Sequence, residues 1–217
     1  MAQDGKSQSG GFASLKAGST DSDAIADYYD DWAKTYDETL VTWDYQAPRD
    51  AAALLAPHLS PNAHILDVGC GTGLVADALS QFGDFHLDGI DISAESLKLA
   101  EKRGGYEKLV CHDLQKHPLP LEDDSFDAAI SVGVLTYIAD AEALFRDLCR
   151  CVRAGGVIGF TQRTDRWEAL DFAAMIGSLE SAGLWTTLHI SEPRGYLPGN
   201  EDFADEIKII HTLCRVA

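Results

Sequence analysis

The run Ala63-His64-Ile65-Leu66-Asp67-Val68-Gly69-Cys70-Gly71-Thr72-Gly73-Leu74 constrains this chain more than any other stretch. Ile65 to Val68 is short and mostly apolar, with a β-branched residue at each end, and reads as a buried strand. Three glycines at alternate positions then turn the chain, and Leu74 to Phe82 resumes with helical spacing. Strand, glycine turn and helix together let backbone approach a ligand closely, because residues without Cβ leave room. The spacing is G-x-G-x-G with an acid two residues ahead, rather than the G-x-G-x-x-G of dinucleotide-binding proteins. A pyrophosphate would be repelled by the Asp67 carboxylate, whereas a ligand carrying an ammonium or sulfonium group would not.

A second acid follows. His86 to Ile92 alternates and predicts another strand, with Asp91 at its C-terminal end. A carboxylate there can accept two hydrogen bonds from vicinal ribose hydroxyls. Its other role is to cap the next helix, Ala94 to Arg103, although Ser93 already suits that task. Gly104-Gly105 stops that helix, Lys108 to Cys111 is a short third strand, and His112-Asp113-Leu114 follows. A strand is expected over Ala128 to Val132. Ser131 to Leu135 is expected to line a cleft, because open parallel sheets bind ligands beyond their strand C-termini. Further on come a helix over Ala141 to Cys151, a strand over Val157 to Thr161, a helix over Phe172 to Ala182 and strands over Leu184 to Ile190 and Ile207 to Val216. Glu192 to Asp205 is a loop that could shape a substrate pocket.

At the N-terminal end, residues 1–20 are rich in Gly, Ser, Ala and Gln and read as a flexible tail. Asp23 to Trp43 carries Ile25, Tyr28, Tyr29, Trp32, Tyr36 and Leu40 at helical intervals, with Thr20 or Asp21 as its cap. Two readings stand for the aromatic face: packing on the domain, or a lid that excludes water and faces a cation. Arg49 is either a surface base or a fork for a ligand carboxylate. Arg163 and Arg166 either grip an anionic group on a substrate or solvate a helix start.

Thirty-five acids against seventeen bases give a formal charge of −18, which repels phosphate backbones and argues against nucleic acid as a partner. No apolar run reaches the length of a membrane span and no signal sequence is visible, so a cytoplasmic protein is expected. Five cysteines lack C-x-x-C spacing, and no acid cluster stands out as a metal site.

The D-x-G-x-G-x-G form after a strand resembles motif I of the class I S-adenosylmethionine-dependent methyltransferases. Tyr29-Asp30-Asp31-Trp32-Ala33-Lys34-Thr35-Tyr36-Asp37 is similar to the Y-D-x-W-A-x-x-Y-D element that precedes motif I in many of them, which favours the lid. Phe126 to Leu135 resembles motif IV, and Val152-Arg153-Ala154-Gly155-Gly156 is similar to their L-K-P-G-G turn, with Ala where Pro is usual. Ala47-Pro48-Arg49, Leu74-Val75-Ala76, Thr161 to Thr164 and Leu179 to Trp185 narrow the resemblance to the branch named for the Williams–Beuren syndrome chromosomal region.

The resemblance implies a Rossmann-like α/β fold: seven strands, mostly parallel, helices on both faces, an antiparallel last strand and an N-terminal helical lid. It divides the chain into a tail (1–20), a helical cap (21–60) and a methyltransferase domain (61–217). It implies S-adenosyl-L-methionine as cofactor and S-adenosyl-L-homocysteine as product. Carried over residue by residue, cofactor binding falls on Tyr29, Trp32, Tyr36, Arg49, Asp67, Gly69, Gly71, Asp91, Ile92, Asp113, Leu114 and Ser131. Asp113 would bond the adenine amino group and Leu114 would pack on the ring. The expected reaction is methyl transfer to a small-molecule acceptor. The rivals are a non-catalytic S-adenosylmethionine-binding scaffold and an NAD-dependent oxidoreductase. His112, His117, His189 and Tyr137 are possible bases, and none is singled out.

Overall fold

The structure, a computed structural model, describes residues 14–203 and 206–217. The expected tail therefore lies largely outside the described residues.

Seven strands form one sheet in the order β3-β2-β1-β4-β5-β8-β6: β1 (His64–Val68), β2 (His86–Asp91), β3 (Lys108–Cys111), β4 (Phe126–Ser131), β5 (Val152–Arg163), β6 (Trp185–Ile190) and β8 (Lys208–Val216). An eighth strand, β7 (Arg194–Gly195), pairs only with β8 and was not foreseen. β1 to β5 are mutually parallel, and β8 runs antiparallel between β5 and β6. Strand order reverses between β1 and β4, the switch point at which open α/β sheets leave a crevice beyond their C-terminal ends.

The period of two within the strands feeds two cores. Ile65, Leu87, Ala128 and Ile130 face α2 (Ala47–Leu55) and α3 (Leu74–Leu79). Leu66, Val68, Ile90 and Ile158 face α5 (Ala141–Cys151) and α7 (Phe172–Ser181). Each face thus covers the apolar side that the other leaves. Phe145, Phe160 and Trp185 stack at the centre of the second core, and the Trp185 indole N–H donates to the Ile176 carbonyl at 3.2 Å.

The expected aromatic segment is a single helix, α1 (Ser22–Thr42), capped by Asp21, whose carboxylate accepts from the Ala24 N–H at 2.9 Å. It lies across the C-terminal ends of the strands. Ile25 packs with Tyr137 at one end, and Leu40 packs with Leu197, Phe203 and Ile207 at the other. α4 (Ala94–Arg103) starts at the Ser93 cap, and its side of the sheet meets α1. A short helix, α6 (Thr164–Ala169), follows β5, at the helix start that one reading of Arg163 and Arg166 supposed.

Candidate active site

The glycine turn builds the floor of a cleft. Gly69 has φ +74°, and a Cβ there would stand 2.3 Å from Val134 Cγ2, so glycine is required by both conformation and space. Gly71 has φ +52° and nothing within 4 Å of where its Cβ would be: the turn opens onto free volume at this point. The Gly71 N–H donates to Asp91 Oδ2 and the Ser93 N–H to Asp91 Oδ1, each at 2.8 Å. Asp91 therefore braces the turn against the end of β2, with the Ile92 N–H as a further, weaker partner, and keeps acceptor capacity for a ligand. Burial pushes its carboxyl up, outweighing those hydrogen bonds.

The cleft encloses about 680 Å³ including its open mouth. Its wall includes Tyr29, Tyr36, Gly69, Gly71, Asp91, Ile92, Asp113 and Leu114 from the expected set, with Gly133, Val134 and Tyr137 in addition. Asp113 sits in a turn in which the Gln115 N–H donates to its Oδ1 at 3.0 Å. Burial alone would raise its carboxyl, but that bond, the Ser22 hydroxyl and Lys116 bring it below the usual range.

Four expected residues stand elsewhere. Ser131 is buried behind the wall, its hydroxyl donating to the Val68 carbonyl at 3.1 Å, and the neighbouring Val132 to Val134 line the cleft instead. Arg49 is an exposed residue of α2 and lines neither cavity. Asp67 is fully buried beneath the turn, where the Tyr106 hydroxyl donates to its Oδ2 at 2.6 Å and its Oδ1 has no hydrogen-bond partner. Burial pushes this carboxyl up to about 7 despite the Tyr106 bond, with Asp91 adding to the rise. Trp32 lines a second chamber.

That second chamber adjoins the cleft, and Tyr29, Tyr36, Gly133 and Tyr137 line both. Trp32, Trp43, Tyr45, Tyr196 and Phe203 complete its aromatic wall. Tyr45 reaches over Gly133, where a Cβ would meet its hydroxyl at 2.8 Å. The loop expected to shape a substrate pocket does reach this chamber through Tyr196, Leu197 and Phe203; residues 204–205 lie outside the described residues. No local spacing in the sequence pointed to Tyr45 or Tyr196.

α1 roofs both cavities, and its sequence shows how. Tyr29-Asp30 and Tyr36-Asp37 are seven residues apart, close to two helical turns, so each pair repeats on one stripe. The tyrosine stripe lines the cavities. The aspartate stripe latches to the domain: Asp30 Oδ1 accepts from the Ser93 hydroxyl at 2.6 Å and the Glu95 N–H at 3.1 Å, and Asp37 Oδ1 accepts from the Thr72 hydroxyl at 2.6 Å. Arg103 ties the same corner, pairing with Asp37 and Asp77 and donating to the Thr72 carbonyl at 2.7 Å.

Arg163 is 3% exposed and fully engaged. Its guanidinium donates to Asp165 Oδ1 (3.0 Å) and Oδ2 (2.6 Å) and to the carbonyls of Leu15 (2.8 Å) and Lys16 (2.7 Å). It holds the N-terminal segment in place, as Arg166 does through the Ala17 carbonyl. Of the possible bases, only Tyr137 faces the cavities; His112 contacts the Lys116 carbonyl, His117 contacts Asp147, and His189 lies on β6. Among the described residues one group could hold a metal ion, His64, Asp88 and Glu107, with ligand atoms within 4.8 Å of one another. It lies at the N-terminal ends of the strands, away from the cleft. All five cysteines are free, and no described helix is long and apolar enough to cross a membrane.

Strand order, glycine turn and acid-ended β2 define a class I S-adenosylmethionine-dependent methyltransferase, and residues 66–160 match the family described as "Methyltransferase domain". The chain belongs to that family. It is 37% identical over 171 residues to human Methyltransferase-like protein 27, covering 74% of this chain and 68% of that protein, which agrees with the branch the sequence resembles. It is 33% identical over 120 residues to the 18S rRNA (guanine(1575)-N(7))-methyltransferase of Saccharomyces cerevisiae, covering 55% of this chain and only 43% of that protein. The crystal structure of the [4+2]-cyclase SpnF superposes with a TM-score of 0.71 at 19% identity, covering 90% of this chain and 96% of that one, a likeness of fold alone. The protein is an S-adenosylmethionine-dependent methyltransferase, and S-adenosyl-L-methionine is its cofactor.

The site's own features fit that cofactor. The open space at Gly71 admits a chain, and the Asp91 carboxylate, lining the cleft at the end of β2, suits a vicinal diol.

Proposed function

We propose that the protein transfers a methyl group to a small molecule held in the second chamber. When bound, S-adenosylmethionine supplies an electrophilic methyl on a sulfonium. Asp91 then accepts the ribose hydroxyls, Asp113 and Leu114 receive the adenine, and Gly69 and Gly71 admit the methionine portion. Tyr29, Tyr36 and Tyr137 stand at the seam between cofactor and acceptor. Residues 21–60 act as the cap and 61–217 as the transfer domain, with Leu15 adding to the wall of the second chamber.

The observation that carries this reading is the shared wall of the two cavities. An acceptor in the second chamber meets the cofactor across Tyr29, Tyr36, Gly133 and Tyr137, shielded from water by α1, so positioning and desolvation supply the rate. A formal charge of −18 also disfavours a polyanionic acceptor. The names of two relatives, the yeast rRNA enzyme and a probable tRNA methyltransferase of Mus musculus, favour RNA as the rival acceptor.

Incubating the protein with methyl-tritiated S-adenosylmethionine and a cell extract separates the two. Label in the ultrafiltrate of small metabolites is expected. Label in RNA that ribonuclease releases, with none in the metabolite fraction, would overturn the reading.

A further inference from the structure

The second chamber has an unusual chemistry for a group-transfer site: its described lining is mostly aromatic. Among the described residues its lining contains no carboxylate and no histidine. Its cation, Arg163, is neutralised by Asp165 and saturated by carbonyls, with its guanidinium carbon 5.1 Å from the centre of the Phe203 ring. The polar groups left are tyrosine hydroxyls. Tyr29 and Tyr137 share a hydrogen bond at 2.9 Å, and Tyr45 bonds Tyr196. Burial pushes all four phenols, and that of Tyr36, upward, so each stays protonated near neutral pH.

An acceptor in this chamber must therefore bring its own lone pair and must arrive uncharged. An alcohol or phenol would need a base to remove its proton. A carboxylate would enter an apolar cage in which no cation among the described residues is free to pair with it. A thiolate carries the same penalty, and burial holds a thiol protonated. An amine differs on both counts. Desolvation favours its neutral form, which carries the lone pair. The methylated product is a cation, and cations are stabilised by aromatic faces. Trp32 packs against Trp43 at 5.8 Å and edge-to-face against Tyr36 at 4.7 Å, so the three rings form one continuous aromatic wall of the chamber.

Resting on the small-molecule reading above, we propose that the acceptor is a small primary or secondary amine. The amine leaves its proton in solvent on entry and its nitrogen lone pair forms the new N–C bond. As that bond forms, the C–S bond breaks and its electron pair stays on sulfur. The nitrogen, now an ammonium, gives up a proton to solvent after release. The acidic surface draws the protonated amine toward the protein, and the neutral chamber selects the unprotonated form.

Two measurements test this. The first needs no turnover: binding of tetramethylammonium and of its uncharged isostere tert-butanol, each in the presence of S-adenosylhomocysteine. Tetramethylammonium stands for the methylated cation and has no N–H groups to desolvate; it is expected to bind about tenfold more tightly, and Trp43→Leu, which lines the second chamber and not the cleft, is expected to weaken that preference while leaving S-adenosylhomocysteine affinity unchanged. Equal binding of the two probes to the wild type overturns the amine assignment. The second is label transfer from tritiated cofactor to propylamine, propanol, propanethiol and propionate. Label in propylamine supports the proposal. Label in one of the other three overturns the amine and leaves the small-molecule reading standing, whereas label in RNA alone from the cell extract overturns both.

Discussion

Asp91→Ala probes the cofactor site most directly, because the structure says what each of its oxygens already does. Oδ1 and Oδ2 accept the Ser93 and Gly71 N–H groups, with the Ile92 N–H a weaker partner, and the carboxylate keeps acceptor capacity that a ribose diol can use. Leaving polar partners unmatched in a partly buried site costs about 1–3 kcal/mol. That corresponds to roughly a 5- to 150-fold weakening of S-adenosylhomocysteine binding by calorimetry. The substitution also frees the Gly71 and Ser93 N–H groups, so loosening of the turn must be separated from loss of the diol contact. Pairing the protein change with methylthioadenosine and its 2′,3′-dideoxy analogue does so. In the wild type the dideoxy analogue should bind more weakly; in Asp91→Ala the two should bind alike. If the dideoxy analogue loses the same factor in both proteins, Asp91 does not hold the ribose, whatever happens to the absolute affinity.

Other consequences follow from the buried acid and from the lid. Asp67, raised from 3.8 to about 7 by burial, binds its proton more tightly in the folded chain than in the unfolded one. Its contribution is full below about pH 4 and is lost as pH rises through 7, a swing on the order of 4 kcal/mol. Urea unfolding of the ligand-free protein should therefore show Asp67→Asn gaining on the wild type between pH 5 and pH 8; a constant difference would refute the shift. Asp37→Ala removes the Thr72 bond and the Arg103 pair; because those side chains are 39% and 23% exposed, screening reduces the loss to about 1–2 kcal/mol. Apparent cofactor affinity should fall by up to about tenfold as the undocked lid becomes populated, and unchanged affinity would mean that the latch is idle. Arg49→Ala should alter neither cofactor affinity nor turnover, since the side chain is exposed and outside both cavities; a loss on the scale of Asp91→Ala would refute that placement.

Much of this architecture was legible because it is written locally. The helices over Ala94–Arg103 and Ala141–Cys151 and the strand over Lys108–Cys111 begin and end where capping residues and periodicity put them. The glycine turn and Asp91 were legible for the same reason, since each sits where a strand gives way to a helix, the turn between β1 and α3 and the acid between β2 and α4. What escaped is what depends on distant partners. β5 extends back to Val152 because Phe126 pairs with it there, and β7 exists as a strand only because β8 lies beside it. The second chamber gathers Trp32, Tyr45, Tyr137, Tyr196 and Phe203 from four separate stretches of chain, which no periodicity could connect. Arg49 and Ser131 went to the cofactor by resemblance, and neither side chain faces the cleft. A motif fixes a position along the chain but not the direction in which its side chain leaves.

The paired Tyr-Asp dipeptides of α1 give the lid a consequence for the order of binding. Asp37 holds Thr72 in the glycine turn, and Asp30 holds Ser93 two residues beyond Asp91, so both latches grip segments that the cofactor touches in the proposed site. A cofactor that fixes the turn and the end of β2 also fixes the latch points, and through them the tyrosines that form the second chamber's roof. The acceptor chamber is then complete only after the cofactor has bound. Tetramethylammonium should accordingly bind measurably in the presence of S-adenosylhomocysteine and at least about tenfold more weakly without it, a coupling of roughly 1.4 kcal/mol. By reciprocity, saturating tetramethylammonium should tighten S-adenosylhomocysteine by the same factor. Independent binding of the two would mean that α1 is a fixed wall, and that the aspartate stripe serves stability alone.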